Sequence, residues 1–172
     1  MGAMAMERST VKVTIYTDGS ARGNPGNGGY GAVLLYTNPR GQEFRRELSA
    51  GYAHTTNNRM ELMAVIAALE ALNRPCAAEV YSDSQYVVKA FNDHWIDGWR
   101  RRAWKTAAKK PVKNVDLWQR LLAAMEPHEV SFTWVRGHAD NALNNRCDEL
   151  ATTAADSGRL MEDTGFTEGD AD

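Results

Sequence analysis

The stretch TTNNRMELMA at positions 55–64 sets polar side chains and a single carboxylate, Glu61, immediately before an apolar run. From Leu62 to Leu69 the apolar residues recur at the i, i+3, i+4 and i+7 spacing of an amphipathic helix. We predict that this helix ends near Asn73, shortly before a proline. Glu61 shares a helix side with Val65, so its carboxylate is expected to be at least partly buried.

Two interpretations account for a buried glutamate at this position. In the first, Asn58 is the N-cap, and the Glu61 carboxylate reaches back to the Asn58 N–H as a capping box. In the second, Glu61 ligates a metal ion, because a buried carboxylate must be hydrogen-bonded, paired or coordinated. The helix signals alone favour the capping box, and the metal hypothesis requires further carboxylates nearby in the fold.

Two other carboxylates lie where predicted strands end. Residues 11–16 alternate apolar and polar side chains and lead into Asp18, and a short strand at 79–82 leads into Asp83. The helix that contains Glu61 lies between these strands in the chain and supplies the crossover that parallel strands require. If the two strands are parallel and adjacent, Asp18 and Asp83 meet at the sheet edge where ligands bind in α/β proteins.

The remaining predicted elements complete an α/β pattern. Strands are predicted at 30–36 and 42–51, and they form an antiparallel meander with the first strand. Alternation at 130–135 predicts the last strand. Helices are predicted at 84–91, 116–125 and 143–155.

The composition fits one globular domain. A chain of 172 residues with 43% hydrophobic residues is long enough to bury a sizeable core. The longest apolar run, 62–69, is far short of the roughly 20 residues that span a bilayer. Cys76 and Cys147 have no zinc-like or CxxC spacing, so both are expected to be reduced thiols. We therefore expect a cytoplasmic protein with no membrane partner.

The segment 100–113 contains seven Lys or Arg residues and no acid, although the whole chain has a net charge of -2. Four tryptophans lie within or beside this segment. A basic run is usually a solvated face and a tryptophan usually belongs to the core, but their combination favours nucleic-acid binding. The tryptophans are Trp95, Trp99, Trp104 and Trp118.

Three regions follow from these patterns. Residues 1–10 lack periodicity and are interpreted as disordered or as a remnant of expression. Residues 11–155 contain all the predicted helices and strands. Residues 156–172 hold six acids against one base and are expected to form a disordered acidic tail.

Seven motifs, in this order, resemble bacterial ribonuclease H type 1 over residues 11–155: DGS, TTNNRMEL, SDSQYV, WKT, KKPVKNVDLWQRL, WVRGH and NNRCDELA. The resemblance implies a ribonuclease H catalytic domain with the α/β, ribonuclease H-like fold. In that fold a five-stranded mixed sheet, an antiparallel meander plus parallel strands, is flanked by helices. The resemblance further implies an endoribonuclease that hydrolyses the RNA strand of RNA/DNA hybrids and leaves 5′-phosphate and 3′-hydroxyl ends.

The same resemblance assigns catalytic residues and overturns the capping-box interpretation of Glu61. Asp18, Glu61, Asp83 and Asp148 match four family carboxylates that hold two divalent ions. His138 matches a mobile-loop histidine that assists proton transfer or product release. Four clustered carboxylates repel one another, and ligands that are all oxygen favour Mg²⁺, with Mn²⁺ as a substitute, over zinc. Two ions about 4 Å apart activate a water and stabilise the leaving oxygen.

Substrate-binding residues also follow from the resemblance. One group faces the minor groove of the hybrid, where side-chain amides meet the 2′-OH that marks RNA. A second group holds a DNA phosphate, and a third lines the DNA channel with aromatic rings. The basic segment is interpreted as a further handle for phosphates. In that order the residues are Asn24, Asn57, Asn58 and Gln85; Thr56 and Asn114; Trp95 and Trp99; and Arg101, Arg102 and Lys105.

Among the departures from the family pattern, one bears on substrate binding. His54 stands where relatives often carry an arginine that contacts the DNA phosphate, so this pocket is expected to be weaker or pH-dependent. Two alternatives stay open, a non-catalytic hybrid-binding module and an integrase or transposase core. The carboxylate set argues against the first, and the TTNN and SQ motifs with the tryptophan-rich basic segment argue against the second. The expected partner is the hybrid alone, bound by a monomer with no obligate protein partner.

Overall fold

The computed structural model describes residues 11–136 and 141–171. Its strands are β1 (Lys12–Ala21), β2 (Gly26–Thr37), β3 (Glu43–Thr55), β4 (Ala77–Ser82), β5 (Glu129–Trp134) and β6 (Leu160–Glu162). Its helices are α1 (Asn57–Glu70), α2 (Gln85–Asn92), α3 (Trp95–Arg101), α4 (Val115–Met125) and α5 (Ala142–Ala155), and Glu168–Asp170 forms a 3₁₀ helix. The strands make one mixed sheet in the order β5-β4-β1-β2-β3-β6.

The centre of the sheet confirms the predicted topology. Strands β1, β2 and β3 form an antiparallel meander, and β4 lies parallel to β1. Thr17 is opposite Ser82, so the next residue of each strand, Asp18 and Asp83, lies at the same edge. Strand β1 does not end at Asp18, because its pairing with β2 continues as far as Ala21.

Helix α1 begins and packs differently from the prediction. Its N-cap is Thr56, not Asn58, and the Thr56 hydroxyl accepts a hydrogen bond from the Arg59 N–H. The helix is buried almost all round instead of having one exposed face, because it lies between the sheet and α4. The i, i+3, i+4 pattern identified the helix correctly but not its central position.

Two glycines let helices approach opposite faces of the sheet. A Cβ at Gly19 would overlap the backbone of Met60 and Glu61 in α1, and a Cβ at Gly31 would overlap the Cys147 carbonyl in α5. Gly19 is paired with the residue that precedes Gly31, and adjacent residues of a strand point to opposite faces. Helices α1 and α5 therefore cover opposite faces, each in direct contact with the sheet backbone.

The acidic tail is ordered as far as residue 171, which corrects the expectation of disorder. Strand β6 pairs in parallel with β3, and this adds a sixth strand to the five that were expected. The tail carboxylates of Asp163 and Asp170 form ion pairs with Arg59, which is fully buried. Part of the charge that predicted disorder, that of Asp163 and Asp170, is therefore neutralised inside the fold. Residues 1–10 lie outside the described residues.

Within 11–136 and 141–171, none of the helices combines the length and apolar character that a membrane crossing demands.

Candidate active site

Three carboxylates from separate elements converge at the edge where β1 and β4 run side by side. Asp18 lies in β1, Asp83 follows the end of β4, and Glu61 lies in the first turn of α1. One oxygen atom of each lies within 4.8 Å of the others. The parallel register brings Asp18 to Asp83, and the absence of a side chain at Gly19 lets Glu61 approach both. The sequence prediction that these three residues share one edge is confirmed.

Burial dominates the electrostatics of this cluster. It raises the pKa of Asp18 to about 8, with further contributions from the charges of Asp83 and Asp148. Burial also raises the pKa of Glu61, again reinforced by its acidic neighbours. The Gly19 N–H donates a hydrogen bond of 2.9 Å to the Asp18 carboxylate and offsets part of this effect. The site thus holds more negative charge than its immediate surroundings stabilise.

Two oxygens of the cluster fit a cation ligand role. Glu61 Oε1 and Asp83 Oδ1 are buried and, among the described residues, accept no hydrogen bond. A buried carboxylate oxygen without a partner is costly unless a cation satisfies it. The cluster offers only hard oxygen donors, which suit Mg²⁺ or Mn²⁺ better than zinc. The residues present therefore fit the divalent ions that the resemblance implies.

Of the two other expected catalytic residues, Asp148 and His138, the structure describes only Asp148. Asp148 is exposed on α5 and lies outside the group of three, although its charge contributes to the raised pKa of Asp18. It is thus a neighbour of the cluster and not one of its buried members. His138 lies in 137–140, outside the described residues, so its assignment stays a prediction.

The loop after β4 is held by contacts that the sequence did not predict. The indole N–H of Trp134, in the neighbouring strand β5, donates a hydrogen bond of 3.1 Å to the Asp83 carbonyl. The Ser84 N–H donates to the Ser82 hydroxyl, and the Ser84 hydroxyl caps α2 by accepting from Val87 N–H. These bonds fix the backbone that carries the Asp83 carboxylate.

Four expected minor-groove residues lie near the same edge. The Asn57 N–H donates a hydrogen bond of 2.8 Å to the Asn24 side chain, so the β1–β2 loop meets the start of α1. Asn58 follows in α1, half-buried. Gln85 is exposed at the first position of α2, two residues after Asp83. Chain position therefore places all four close to the carboxylates, while their contact with a substrate stays a prediction.

The two residues expected to hold a DNA phosphate are closed to solvent. Thr56 and Asn114 are both 0% exposed. The Asn114 side chain donates a hydrogen bond of 3.0 Å to the Tyr86 hydroxyl and accepts one of 3.4 Å from Arg59. Its backbone N–H donates to Asp170 in the C-terminal segment. In this arrangement neither residue is accessible to a phosphate.

The basic segment divides into a surface part and a core part. Trp118 is fully buried in α4, which corrects its inclusion in a nucleic-acid surface, and Trp99 packs against it with ring centroids 5.4 Å apart. Trp95 is 39% exposed and lies 6.3 Å from Trp99. The indole rings thus run from the core to the surface, where the neighbouring cations are exposed. Those cations are Arg101, Arg102 and Lys105.

A second buried charge cluster was not predicted from the sequence. Arg59 is 0% exposed and donates hydrogen bonds to Asp116 and Asp163, while Asp170 lies 3.6 Å from its Nη1. Burial disfavours its charge, but the bonds to Asp116 and Asp163 outweigh burial and raise the Arg59 pKa. An arginine two residues before Glu61, at the start of a predicted buried helix, was the available signal.

A mixed sheet with three converging carboxylates, together with an exposed basic and aromatic segment elsewhere on the chain, is typical of the class of α/β nucleases. The chain belongs to the RNase H family, whose family model matches residues 10–156. It is accordingly a nuclease of the hydrolase class.

Two curated relatives match nearly the whole chain. The chain is 63% identical over 154 residues to ribonuclease H of Lachnoclostridium phytofermentans, covering 89% of this chain and 98% of that protein. It is 57% identical over 155 residues to ribonuclease H of Escherichia coli (strain K12 / DH10B), covering 90% of this chain and 96% of that protein.

Two solved structures are also similar. LC9-RNase H1, a type 1 RNase H with the type 2 active-site motif, matches with a TM-score of 0.78 and 34% identity over 88% of this chain and 74% of that chain. LC11-RNase H1 in complex with RNA/DNA hybrid matches with a TM-score of 0.58 and 28% identity over 85% of this chain and 98% of that chain. The α/β, ribonuclease H-like fold expected from the sequence is confirmed.

Proposed function

We propose that this protein is an endoribonuclease that hydrolyses the RNA strand of RNA/DNA hybrids with two divalent cations, leaving 5′-phosphate and 3′-hydroxyl ends. The convergence of Asp18, Glu61 and Asp83, with buried oxygens that lack a partner among the described residues, carries the proposal. The relative LC11-RNase H1 was solved with an RNA/DNA hybrid, which supports the same substrate class here.

In this proposal Asp18, Glu61, Asp83 and Asp148 hold Mg²⁺, with Mn²⁺ as an alternative. When bound, a pair of such ions activates water and stabilises the leaving oxygen in an in-line displacement. The bond from the Trp134 indole N–H to the Asp83 carbonyl keeps the backbone of Asp83 in place. His138 assists proton transfer or product release.

The role of His138 has its own test. For His138→Ala we expect turnover to fall about 10 to 100-fold with little change in KM, because a general acid or base acts on the chemical step. If KM rose with turnover unchanged, His138 would be a binding residue instead.

Selectivity for RNA is assigned to the side-chain amides near the carboxylates. Asn24, Asn57, Asn58 and Gln85 carry groups that both donate and accept hydrogen bonds, as the 2′-OH does. The contact of Asn24 with Asn57 supports this proposal, because the Asn57 backbone N–H holds the Asn24 side-chain amide beside the start of α1. Contacts to several successive 2′-OH groups require more than one ribonucleotide in the scissile strand.

The exposed cations Arg101, Arg102 and Lys105 are proposed to bind the phosphates of the hybrid at a distance from the carboxylates. Each phosphate contact releases counterions and contributes about 0.7 to 0.9 to the slope of log K against log salt. Neutralising all three should raise KM and flatten that slope by up to about 2 to 3 units, with turnover nearly unchanged. An unchanged slope would assign these side chains to a solvated surface.

The decisive experiment compares three substrates of the same sequence. A matched RNA/DNA hybrid, duplex DNA and duplex RNA are incubated with and without Mg²⁺, and the ends of any products are mapped. We expect cleavage of the RNA strand of the hybrid only, only with metal, and product ends that carry 5′-phosphate. Binding of the hybrid without cleavage would indicate a binding module, and cleavage of duplex DNA would indicate an integrase-like core.

The protein is proposed to act as a monomer in the cytoplasm. Asp18, Glu61, Asp83 and Asp148 all belong to one chain, so a partner subunit is not needed to supply them. Cys76 and Cys147 are free and buried, which is compatible with a reducing compartment. Sedimentation of the protein across a range of concentrations tests the monomer.

A further inference from the structure

The C-terminal segment 163–171 lies against the residues proposed to hold a DNA phosphate. The Asp170 carboxylate accepts a hydrogen bond of 2.8 Å from the Asn114 N–H. Asp163 accepts from the Thr55 hydroxyl at 2.7 Å, beside Thr56 in the chain. The segment thereby contributes to the complete burial of the proposed phosphate pocket.

The surroundings of Asp170 form a built anion site. One carboxylate oxygen accepts from Asn114 N–H, and the other accepts from the Thr167 N–H at 3.1 Å and the Thr167 hydroxyl at 3.2 Å. The Arg59 Nη1 lies 3.6 Å from that second oxygen. The Thr167 groups belong to the C-terminal segment itself, whereas the Asn114 N–H and the Arg59 guanidinium belong to the body of the fold. A backbone N–H and a guanidinium are groups that bind phosphate oxygens in proteins. Asp170 therefore occupies a position with the chemistry of a phosphate site.

The polar groups next to this site are engaged by the same segment. His54 Nε2 lies 2.9 Å from Glu168 Oε1, and the His54 ring packs edge-on against Phe166. The Lys113 ammonium donates a hydrogen bond of 2.8 Å to the Ala171 carbonyl. His54 and Lys113 flank Thr56 and Asn114 in the chain, so the segment contacts both sides of the proposed pocket.

We propose that residues 167–171 compete with the DNA strand for this pocket, with the Asp170 carboxylate in the place of a DNA phosphate. The hybrid must displace the segment before Thr56 and Asn114 can contact it. The inference rests on the proposed function, because it needs an RNA/DNA hybrid as the substrate, and on the resemblance that assigns Thr56 and Asn114 to a DNA phosphate. If the displaced form is about one tenth of the population, the segment weakens binding about tenfold.

Displacement of residues 167–171 leaves the core intact. Arg59 retains two carboxylate partners, Asp116 and Asp163, and their hydrogen bonds engage its Nε, Nη1 and Nη2 atoms. Strand β6 ends at Glu162 and stays paired with β3. The buried guanidinium is therefore still neutralised when Asp170 moves away.

The test removes the competitor in two ways. One variant ends at Phe166, the other carries Asp170→Ala, and Glu162→Gln is the control because it removes one exposed charge from β6, just before the segment. The Kd for a matched RNA/DNA hybrid is measured without divalent metal, and KM and kcat are measured with Mg²⁺. We expect Kd and KM to fall about 3 to 10-fold in both variants, kcat to stay within about twofold, and the control to match wild type. Unchanged or weaker binding by variants with wild-type melting curves would overturn the proposal and assign the segment a structural role.

Replacing one charged phosphate of the DNA strand by a neutral linkage shows which phosphate competes with Asp170. Single methylphosphonate linkages are introduced one at a time along the DNA strand, and the affinity gain of Asp170→Ala is measured for each hybrid. The gain should disappear at one linkage, the one whose charge replaces Asp170, and persist at the others. A gain that persists at every linkage would contradict competition for a single phosphate. Because Kd is measured without metal, failure of the wild type to cleave would reject the proposed function and still leave the competition decided by binding.

Discussion

Two clusters of buried charge surround Arg59 and Glu61, two residues apart near the start of α1, and they differ in how the chain neutralises them. The cluster around Glu61 contains three carboxylates, two of whose oxygens lack a hydrogen-bond partner among the described residues. The cluster around Arg59 engages all three guanidinium nitrogens with Asp116 and Asp163. A carboxylate and a guanidinium are both costly to bury, so the two clusters differ in whether opposite charges from the chain itself neutralise them.

The pKa shifts express the same contrast. Burial raises the pKa of Asp18 to about 8, which means that the folded chain disfavours its negative charge. Burial also disfavours the Arg59 charge, but Asp116 and Asp163 more than offset this and raise the Arg59 pKa, which means that the folded chain favours its positive charge. A cluster neutralised from within the chain stabilises the fold, whereas one left anionic is suited to binding cations from solution.

The largest expected effect breaks the carboxylate cluster. We expect Asp18→Asn and Asp83→Asn each to lower turnover by about 10³-fold or more, because each removes a cation ligand worth several kcal/mol to the transition state. The measurement is hybrid cleavage at saturating Mg²⁺, with circular dichroism to verify the fold. Glu79→Gln, an exposed change on the same strand as Asp83, is the matched control and should retain turnover. Near wild-type turnover in either aspartate variant would exclude the metal assignment.

The second prediction concerns the cluster around Arg59, whose charges are neutralised by residues of the same chain. Arg59→Met should destabilise the protein by about 3 to 5 kcal/mol, because it leaves Asp116 and Asp163 facing each other without their buried counter-charge. Arg120→Met is the control, since Arg120 forms an ion pair with Glu70 at the surface and should cost at most about 1 kcal/mol. Urea unfolding measures both. Similar losses in the two variants would mean that burial of Arg59 adds nothing to its contribution.

The third prediction concerns how the stability of the metal-free protein changes with pH, which differs between the two clusters. An aspartate in an unfolded chain has a pKa of about 3.9, whereas the pKa of Asp18 in the folded, metal-free protein is raised to about 8. Between these two pH values the folded protein keeps a proton on Asp18 that the unfolded chain has released. Stability of the metal-free protein should therefore fall as the pH rises through this window, by about 1 to 4 kcal/mol. Urea unfolding at pH 5 and pH 8 in EDTA measures the slope, which should be smaller in Asp18→Asn and should be reduced by Mg²⁺. Identical slopes in the two proteins would contradict the raised pKa.

The contribution of the Arg59 cluster to stability should change with pH in the opposite direction. Burial opposes the charge on Asp116, but its interactions with Arg59 outweigh burial and lower the Asp116 pKa. That contribution to stability is present above the unfolded pKa and is lost only as the pH falls from about 4 through the lowered pKa.

The smallest expected effect concerns the exposed neighbour of the carboxylate cluster. Asp148→Asn should change the stability of the metal-free protein by no more than about 0.5 kcal/mol, because Asp148 is exposed. Its turnover should nevertheless fall if Asp148 is a ligand. A clearly larger stability gain in the metal-free protein would place Asp148 with the buried members of the cluster.

Much of the fold and the carboxylate site could be predicted because local patterns determine them. Alternating side chains identified β1 and β4, and the crossover helix between them allowed the parallel pairing that brings Asp18 and Asp83 to one edge. The start and burial of α1 were predicted less well. Thr56 and Asn58 are both competent N-caps, and only the packing of α1 between the sheet and α4 decides which one is used.

By itself the sequence determined which chemical groups are present, in which elements they lie, and that Asp18 and Asp83 meet at one edge if their strands are parallel neighbours, whereas the family resemblance was needed to add Glu61. It did so because period-2 and helical patterns, together with strand order, are set by neighbouring residues. Only the tertiary structure decided that the acidic tail is ordered and packs against the fold. Asp163 and Asp170 lie more than 100 residues from Arg59 in the chain, and their high charge density predicts disorder unless a buried counter-charge is known. A long-range ion pair depends on which surfaces the fold brings together, and that information is absent from any local stretch of sequence.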